Sequence, residues 1–214
     1  MSPEPTIQIV DDDESFLAAI SRLLRASGFA VKTFSSAGEL LAACDADAPG
    51  CVLADLRMPG MNGLDLQAAL GRTRNPLPIL FLTGHGDIPS SVRAMREGAV
   101  DFLEKRAPKE HLLDAVKRAL ARDARDRAER ARLRELQARF DTLTARELEV
   151  LSHVVRGQLN KQIAADLGIH ERTVKLHRTA VTTKLGVQSV AELTQLSLEA
   201  GIFTVPPSTF PKGL

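Results

Sequence analysis

The chain has 214 residues, longer than one average domain, and dividing by about 150 gives a prior of one to two domains, with two the better starting expectation. With 44% hydrophobic and 26% charged residues each half can bury a core, which excludes wholesale disorder, and eight Phe with no Trp or Tyr argue against single-stranded nucleic-acid binding on stacked aromatics. The net charge of +1 hides an uneven distribution: residues 1–120 hold 13 Lys/Arg against 16 Asp/Glu and residues 121–214 hold 15 against 11, so a polyanion is expected to meet the second half.

Cys44 and Cys51 form neither a disulfide framework nor a metal-ligand pattern and read as plain buried or half-buried thiols of a reducing compartment. No apolar run reaches membrane-spanning length, and Met1-Ser2-Pro3-Glu4-Pro5 lacks the basic and hydrophobic regions of a signal peptide. A cytoplasmic protein with no membrane partner is expected.

Residues 6–120 alternate short apolar runs with helical patterns. Thr6 to Val10 is a β-branched run, followed by Phe16, Leu17, Ile20, Leu23 and Leu24 at helical spacing and by Gly28 as a stop. Strands at Ala30–Phe34, Cys51–Ala54, Pro78–Leu82 and Val100–Leu103 precede helices at Ala37–Cys44, Gly63–Leu70, Ile88–Glu97 and Lys109–Leu120. Five βα units predict a parallel sheet with helices on both faces.

In such sheets ligands bind outside the carboxyl ends of the strands. The first strand ends in Asp11, Asp12 and Asp13, the third in Asp55, the fourth in Thr83, and the fifth in Glu104 and Lys105. Parallel strands put all of these on one edge. Carboxylates packed together raise one another's pKa unless a cation neutralises them, and all-oxygen ligation with open water positions suits Mg²⁺. A lysine and a hydroxyl beside that metal are what a phosphoryl group needs. An Asp at a strand end is more often a cap for the next helix, but four coincidences at four strand ends weigh against that explanation.

Asp11-Asp12, Asp55-Leu56-Arg57-Met58-Pro59 with Gly63, Thr83-Gly84 and Lys105 resemble the signature of two-component receiver domains, over roughly the first 120 residues. The resemblance implies a flavodoxin-like (βα)5 fold in which Asp55 is the phosphoacceptor. Asp11, Asp12, Asp55 and the Arg57 backbone carbonyl would then bind Mg²⁺, Thr83 would sense the phosphoryl group, Lys105 would pair with it, and Phe102 would be the switch aromatic. The stretch Thr83-Gly84-His85-Gly86-Asp87 is similar to that of the FixJ subgroup, with His85 a loop residue rather than a ligand. One departure is Arg106, where receivers usually carry Pro in a cis peptide. A non-proline cis bond costs about 2.5–4 kcal/mol, so a trans peptide and an altered loop path are expected, which leaves the placement of Lys105 open.

From Ala121 to Arg139 the chain is rich in Ala and Arg with interspersed Asp and Glu, and has no Gly or Pro to stop a helix begun near Lys109. Leu113, Val116, Leu120, Ala124, Ala131, Leu133, Leu136 and Phe140 make a loose stripe, and Asp123 with Arg127 and Glu129 with Arg132 are expected as surface neighbours. Residues 121–142 read either as a solvated linker helix or as a signal-transmitting dimer helix, and the Ala-heavy stripe is weak for a stable coiled coil.

The segment 143–204 holds only helical patterns. Thr144 and Glu147 form a capping box for a helix carrying Leu148, Leu151 and Val155, which Gly157 ends. A helix over Asn160–Leu167, a turn at Gly168-Ile169 and a helix over Glu171–Leu185 place Ile163, Ala164, Leu167, Ile169 and Val174 at the buried positions of a helix-turn-helix, and a fourth helix follows over Ser189–Leu198. A plain helical hairpin is the commoner object. Against it, the Glu171–Leu185 helix carries Arg172, Thr173, Lys175, His177, Arg178, Thr179, Thr183 and Lys184 with Glu171 as its one acid.

Leu143-Thr144-Ala145-Arg146-Glu147, Asn160-Lys161-Gln162-Ile163-Ala164 and Thr173-Val174-Lys175-Leu176-His177-Arg178 resemble the LuxR-type helix-turn-helix of NarL/FixJ response regulators. The resemblance implies a small all-α domain that binds double-stranded DNA, with Lys175, Leu176, Arg178 and Thr179 near base edges and Lys161, Thr173, His177 and Lys184 on phosphate. The tail 205–214 is expected to be disordered.

The chain therefore reads as a receiver over 1–120, a charged helix over 121–142 and a DNA-binding domain over 143–204. Its expected partners are a sensor histidine kinase, DNA, RNA polymerase and, on activation, a second copy forming a homodimer. Two alternatives stand beside this reading. A regulator of the same architecture that works without phosphorylation is motivated by Arg106. Asp11-Asp12-Asp13 followed by Ser15 also resembles, more loosely, the nucleophile motif of haloacid dehalogenase phosphatases, which would imply a Mg²⁺-dependent phosphatase with Asp11 as nucleophile. That family also wants a paired acidic motif late in the fold, where after Gly86-Asp87 this chain has Ser91, and the reading leaves the helix-turn-helix unexplained.

Overall fold

The computed structural model describes residues 4–45, 47–84 and 88–202. The chain divides into two compact units, Met1–Ala128 and Glu129–Leu214. In the first, β1 (Thr6–Val10), β2 (Ala30–Phe34), β3 (Gly50–Asp55), β4 (Ile79–Thr83) and β5 (Asp101–Glu104) form one parallel sheet in the order β2-β1-β3-β4-β5. β3 and β4 are buried at every residue, which is why their sequences are unbroken apolar runs rather than alternating ones. β4 and β5 each begin and end one residue later than the apolar pattern predicts. Pro78 has no N–H to donate, and only its carbonyl reaches the neighbouring strand, accepting from Val52 at 2.8 Å.

One face of the sheet, with Ile7, Ile9, Leu53 and Leu80, packs against α1 (Glu14–Ala26) and the first turns of α5 (Lys109–Phe140) through Leu17, Leu24, Leu112 and Val116. The other, with Val10, Val52 and Phe81, packs against α2 (Ala37–Ala43), α3 (Gly63–Gly71) and α4 (Ile88–Arg96) through Leu40, Leu66 and Ala94. This is the doubly wound, flavodoxin-like (βα)5 arrangement. The register aligns the strand ends: Val10 lies beside Ala54, Asp55 beside Leu82, and Thr83 beside Glu104. Residues at or just past these positions share one edge of the sheet. Its strand order reverses between β1 and β3, and a crevice opens there.

The charged segment after residue 120 continues α5, a single helix of 32 residues. Two expectations about it change. Asp123 and Arg127 are not surface neighbours: Asp123 is 2% exposed, its Oδ2 accepts the Gly50 N–H at 2.8 Å, and Arg127 Nε bonds both carboxylate oxygens at 2.8–2.9 Å. Arg127 also donates to the Asp47 and Ala48 carbonyls, so the loop before β3 folds over the helix and covers the pair. The stripe is not continuous either. Ala124, Ala131 and Leu133 are exposed, whereas Leu136 and Phe140 are buried in the second unit. Cys44 is half-buried and Cys51 buried, both as free thiols, and burial pushes the Cys51 thiol up to about 12.

The second unit is a helical cluster of α6 (Ala145–Val155), α7 (Asn160–Leu167), α8 (Glu171–Leu185) and α9 (Val190–Glu199) around Val150, Leu151, Ile163, Val174, Val181 and Leu185. The capping box at the start of α6 is formed, with the Glu147 N–H donating to Thr144 Oγ1 at 3.2 Å and the Thr144 N–H to Glu147 Oε2 at 2.7 Å. Gly168 ends α7 at φ 63, a left-handed conformation that favours glycine and turns the chain into α8. The tail 205–214 and His85 lie outside the described residues.

Candidate acid pocket and DNA-reading helix

At the carboxyl edge of the sheet, β1 delivers Asp11 and Asp12 and β3 delivers Asp55, and one oxygen of each lies within 4.8 Å of the others. Asp13 takes the capping role that competes with any site assignment: its Oδ1 accepts the Ser15 and Phe16 N–H groups at 2.9 and 3.0 Å and starts α1. Asp11 and Asp12 are thereby left to face the crevice between β1 and β3. Asp11 is 1% exposed and Asp55 8%, while Asp12 is exposed, so the cluster is open to solvent on one side.

Lys105 enters from the end of β5. Its Nζ lies 2.6 Å from Asp11 Oδ2 and 3.0 Å from Asp55 Oδ2. Every described peptide bond is trans, and the loop through Arg106 still brings this ammonium between the two carboxylates. Burial pushes the Asp11 carboxyl above its usual range, against the lowering by the Lys105 bond and the Asp13 N–H. Burial by itself would lower the Lys105 ammonium, but its bonds to Asp11 and Asp55 outweigh that and hold it above its ordinary value.

Sequence reading missed Phe16, whose ring lies 4.5 Å from Lys105 Nζ. Its helical spacing marks it only as an α1 core residue. Thr83 is 1% exposed at the end of β4, Phe102 is half-buried with its ring centroid 6.1 Å from that of Phe81, and the Arg57 N–H points to Asp55 Oδ1 at 3.4 Å. All the residues expected at the acid edge therefore lie at or beside it. An all-oxygen cluster of three carboxylates suits a hard divalent cation.

In the second unit α8 presents Glu171, Arg172, Lys175, Leu176, Thr179 and Thr183 on its exposed side, and Lys161 is exposed on α7. Thr173 and His177 are half-buried. Two of the expected DNA contacts are engaged with residues outside α8: Arg178 Nη1 donates to Asn160 Oδ1 at 2.9 Å, tying α8 to α7, and Lys184 Nζ donates to Glu147 Oε2 at 2.6 Å and to the Thr142 carbonyl at 3.1 Å. Helical periodicity marks these side chains as polar and cannot show that another helix already holds them.

Comparison with known proteins gives a family for each of the two domains. Residues 7–117 match the response regulator receiver domain, and residues 141–197 match the luxR family of bacterial regulatory proteins. The chain is 42% identical over 201 residues to nodulation protein W of Bradyrhizobium diazoefficiens, covering 94% of this chain and 88% of that protein. It is 40% identical to the transcriptional regulatory protein FixJ of Rhizobium meliloti, covering 92% and 96%. The solved structure of response regulator StyR superposes with a TM-score of 0.80 at 44% identity, covering 92% of this chain and 99% of that one. No helix among the described residues is long and apolar enough to cross a membrane. A receiver fold with an acid pocket at its carboxyl edge, followed by a LuxR-type helix-turn-helix, places this chain in the NarL/FixJ family of two-component response regulators, transcription factors rather than independent enzymes.

Proposed function

We propose that Asp55 is the phosphoacceptor, that Asp11, Asp12, Asp55 and the Arg57 backbone carbonyl hold Mg²⁺, and that the phosphodonor is a phosphohistidine of a sensor kinase. The observation that carries this reading is the Lys105 ammonium between Asp11 and Asp55, 3.0 Å from the Asp55 oxygen. In the transfer, an Asp55 carboxylate oxygen forms a bond to phosphorus while the phosphorus–nitrogen bond breaks and the imidazole nitrogen keeps the electron pair. Lys105 offsets charge that builds on the phosphoryl oxygens, and the Phe16 ring keeps its ammonium in place. Mg²⁺, when bound, supplies further charge neutralisation among the three carboxylates. The transfer turns a carboxylate into an acyl phosphate of about −2 charge, roughly one negative charge more than before, at the edge where Thr83, Phe102 and Lys105 sit, and these residues bias the position of α4 and β5.

Ile88, Val92 and Met95, 79%, 44% and 46% exposed at spacings of four and three on α4, form an apolar stripe that supports pairing of two phosphorylated copies. Lys161, Thr173, Lys175, Leu176, His177, Arg178, Thr179 and Lys184 remain the DNA-contact set, with the engaged Arg178 and Lys184 positioning α8 as well. Lys105 reaches Asp55 with Arg106 next to it, and this supports phosphorylation over regulation without it.

The test is the intact mass after incubation with Mg²⁺ and a small-molecule phosphodonor. A single phosphoryl adduct on wild type, absent from Asp55→Asn, is expected. No adduct under conditions that label an ordinary receiver would overturn the reading and return the phosphorylation-independent regulator.

A further inference from the structure

Of the Lys and Arg side chains on α8, Arg172 differs from the rest. Lys175 Nζ lies 3.5 Å from Glu171, Arg178 is held by Asn160, and Lys184 by Glu147 and the Thr142 carbonyl. Among the described residues, the exposed Arg172 guanidinium has no ion pair and no hydrogen bond. It stands in the first turn of α8, and Lys175, Leu176 and Thr179 follow at spacings of three, four and seven, which puts all four on one face.

That face is suited to bases more than to phosphate. Leu176 is 65% exposed in its middle, and a leucine gains nothing beside a phosphate but does gain against a thymine methyl. Glu171, exposed at the front of the helix, would be repelled by a phosphate and can accept from a cytosine amino group instead. In a helix-turn-helix the first residues of the second helix are those that reach base edges. A free, planar, five-donor fork in that turn matches the O6 and N7 acceptors of guanine.

We infer that Arg172 is a specificity-determining residue that reads one guanine per half-site in the major groove, in addition to Lys175, Leu176, Arg178 and Thr179, which the family resemblance puts near base edges. The inference rests on the DNA-reading function above and supplies the base that this function leaves open. Arg178, tied to α7 by its bond to Asn160, must give up that bond before it can reach a base edge, whereas Arg172 has none to give up.

The test is selection of binding sites from a randomised duplex library by the full-length, phosphodonor-treated protein, as wild type, Arg172→Ala and Arg172→Lys. Wild type is expected to enrich a motif with a fixed guanine in each half-site. Arg172→Ala should relax that position alone, lose about 5- to 150-fold in affinity for the selected site, and bind a guanine-replaced site as wild type does. Arg172→Lys should keep part of the preference. The helix content and melting of each variant should match wild type, since the side chain is exposed and makes no ion pair or hydrogen bond among the described residues. A uniform loss on every sequence with a smaller salt dependence would make Arg172 a phosphate contact and overturn the inference. An unchanged motif at unchanged affinity would place it outside the interface and do the same. A wild type that enriches no motif would instead overturn the DNA-reading function itself.

Discussion

Gly63 shows how closely single residues are constrained around β3, the strand that ends in Asp55. A Cβ there would lie 2.5 Å from the Asp55 carbonyl oxygen, 2.8 Å from Phe81 Cε1 and 3.1 Å from Leu56 Cα. Backbone cannot yield as a flexible side chain does, so the start of α3 would have to move away from β3. Gly63→Ala is expected to destabilise the receiver by about 2 kcal/mol, as overpacking does, and to slow phosphodonor labelling of Asp55; urea unfolding and adduct mass against time would read both. Glu147 carries a pH dependence. The Lys184 bond, followed by the Thr144 N–H, holds its carboxyl below the ordinary glutamate range. A carboxylate depressed on folding contributes stability above its unfolded pKa of about 4.3, and that contribution fades as pH falls through the lower folded value. Lys184→Met should flatten this acid limb in the second unit, as followed by thermal melting between pH 7 and pH 3, while leaving the receiver's melting unchanged. A limb as steep as in wild type would assign it to other carboxylates.

Among elements, α5 is the least ordinary. Its first turns bury Leu112, Ala115, Val116 and Ala119 against the sheet, but further along the helix is held by a polar network, with Asp123 joining the Gly50 N–H to Arg127 and Arg127 capping the carbonyls of the loop before β3. A buried ion pair is an unreliable source of net stability, whereas breaking one leaves an uncompensated charge. Asp123→Ala would strand the Gly50 N–H and the Arg127 guanidinium and should cost the receiver about 3 kcal/mol in urea unfolding. Arg132→Ala, which removes an exposed pair with Glu199, should leave stability nearly unchanged. Equal effects of the two would refute the distinction between the buried and the exposed pair.

At the scale of the molecule there are two cores on the receiver's sheet and a third in the second unit. Independent cores make a single unfolding transition a poor description. Two calorimetric transitions are expected, the first raised by Mg²⁺ and the second by duplex DNA, each by about 1.4 kcal/mol when the free ligand is ten times its dissociation constant. One transition moved by both ligands would refute this independence. The division of charge between the halves agrees with the family, since the acidic half holds the carboxylate cluster and the basic half the LuxR-type helix-turn-helix.

Much of this organisation was legible in the amino-acid order. Short apolar runs ending in Asp11, Asp55, Thr83 and Lys105 announced a parallel sheet with its chemistry on one edge, and the spacing around Gly168 announced the helix-turn-helix. Both are local patterns, because strand ends and helix faces follow from periodicity within a dozen residues. What only the tertiary structure decided was which charges are already spent. The Gly50 N–H finds Asp123 across 73 residues, and Lys184 meets Glu147 across 37. The ring of Phe16 turns from core filler into a wall beside Lys105. A charged residue has the same letter whether it faces solvent or a partner on a distant helix. The packing that brings the two together is non-local, and it leaves no period in the chain.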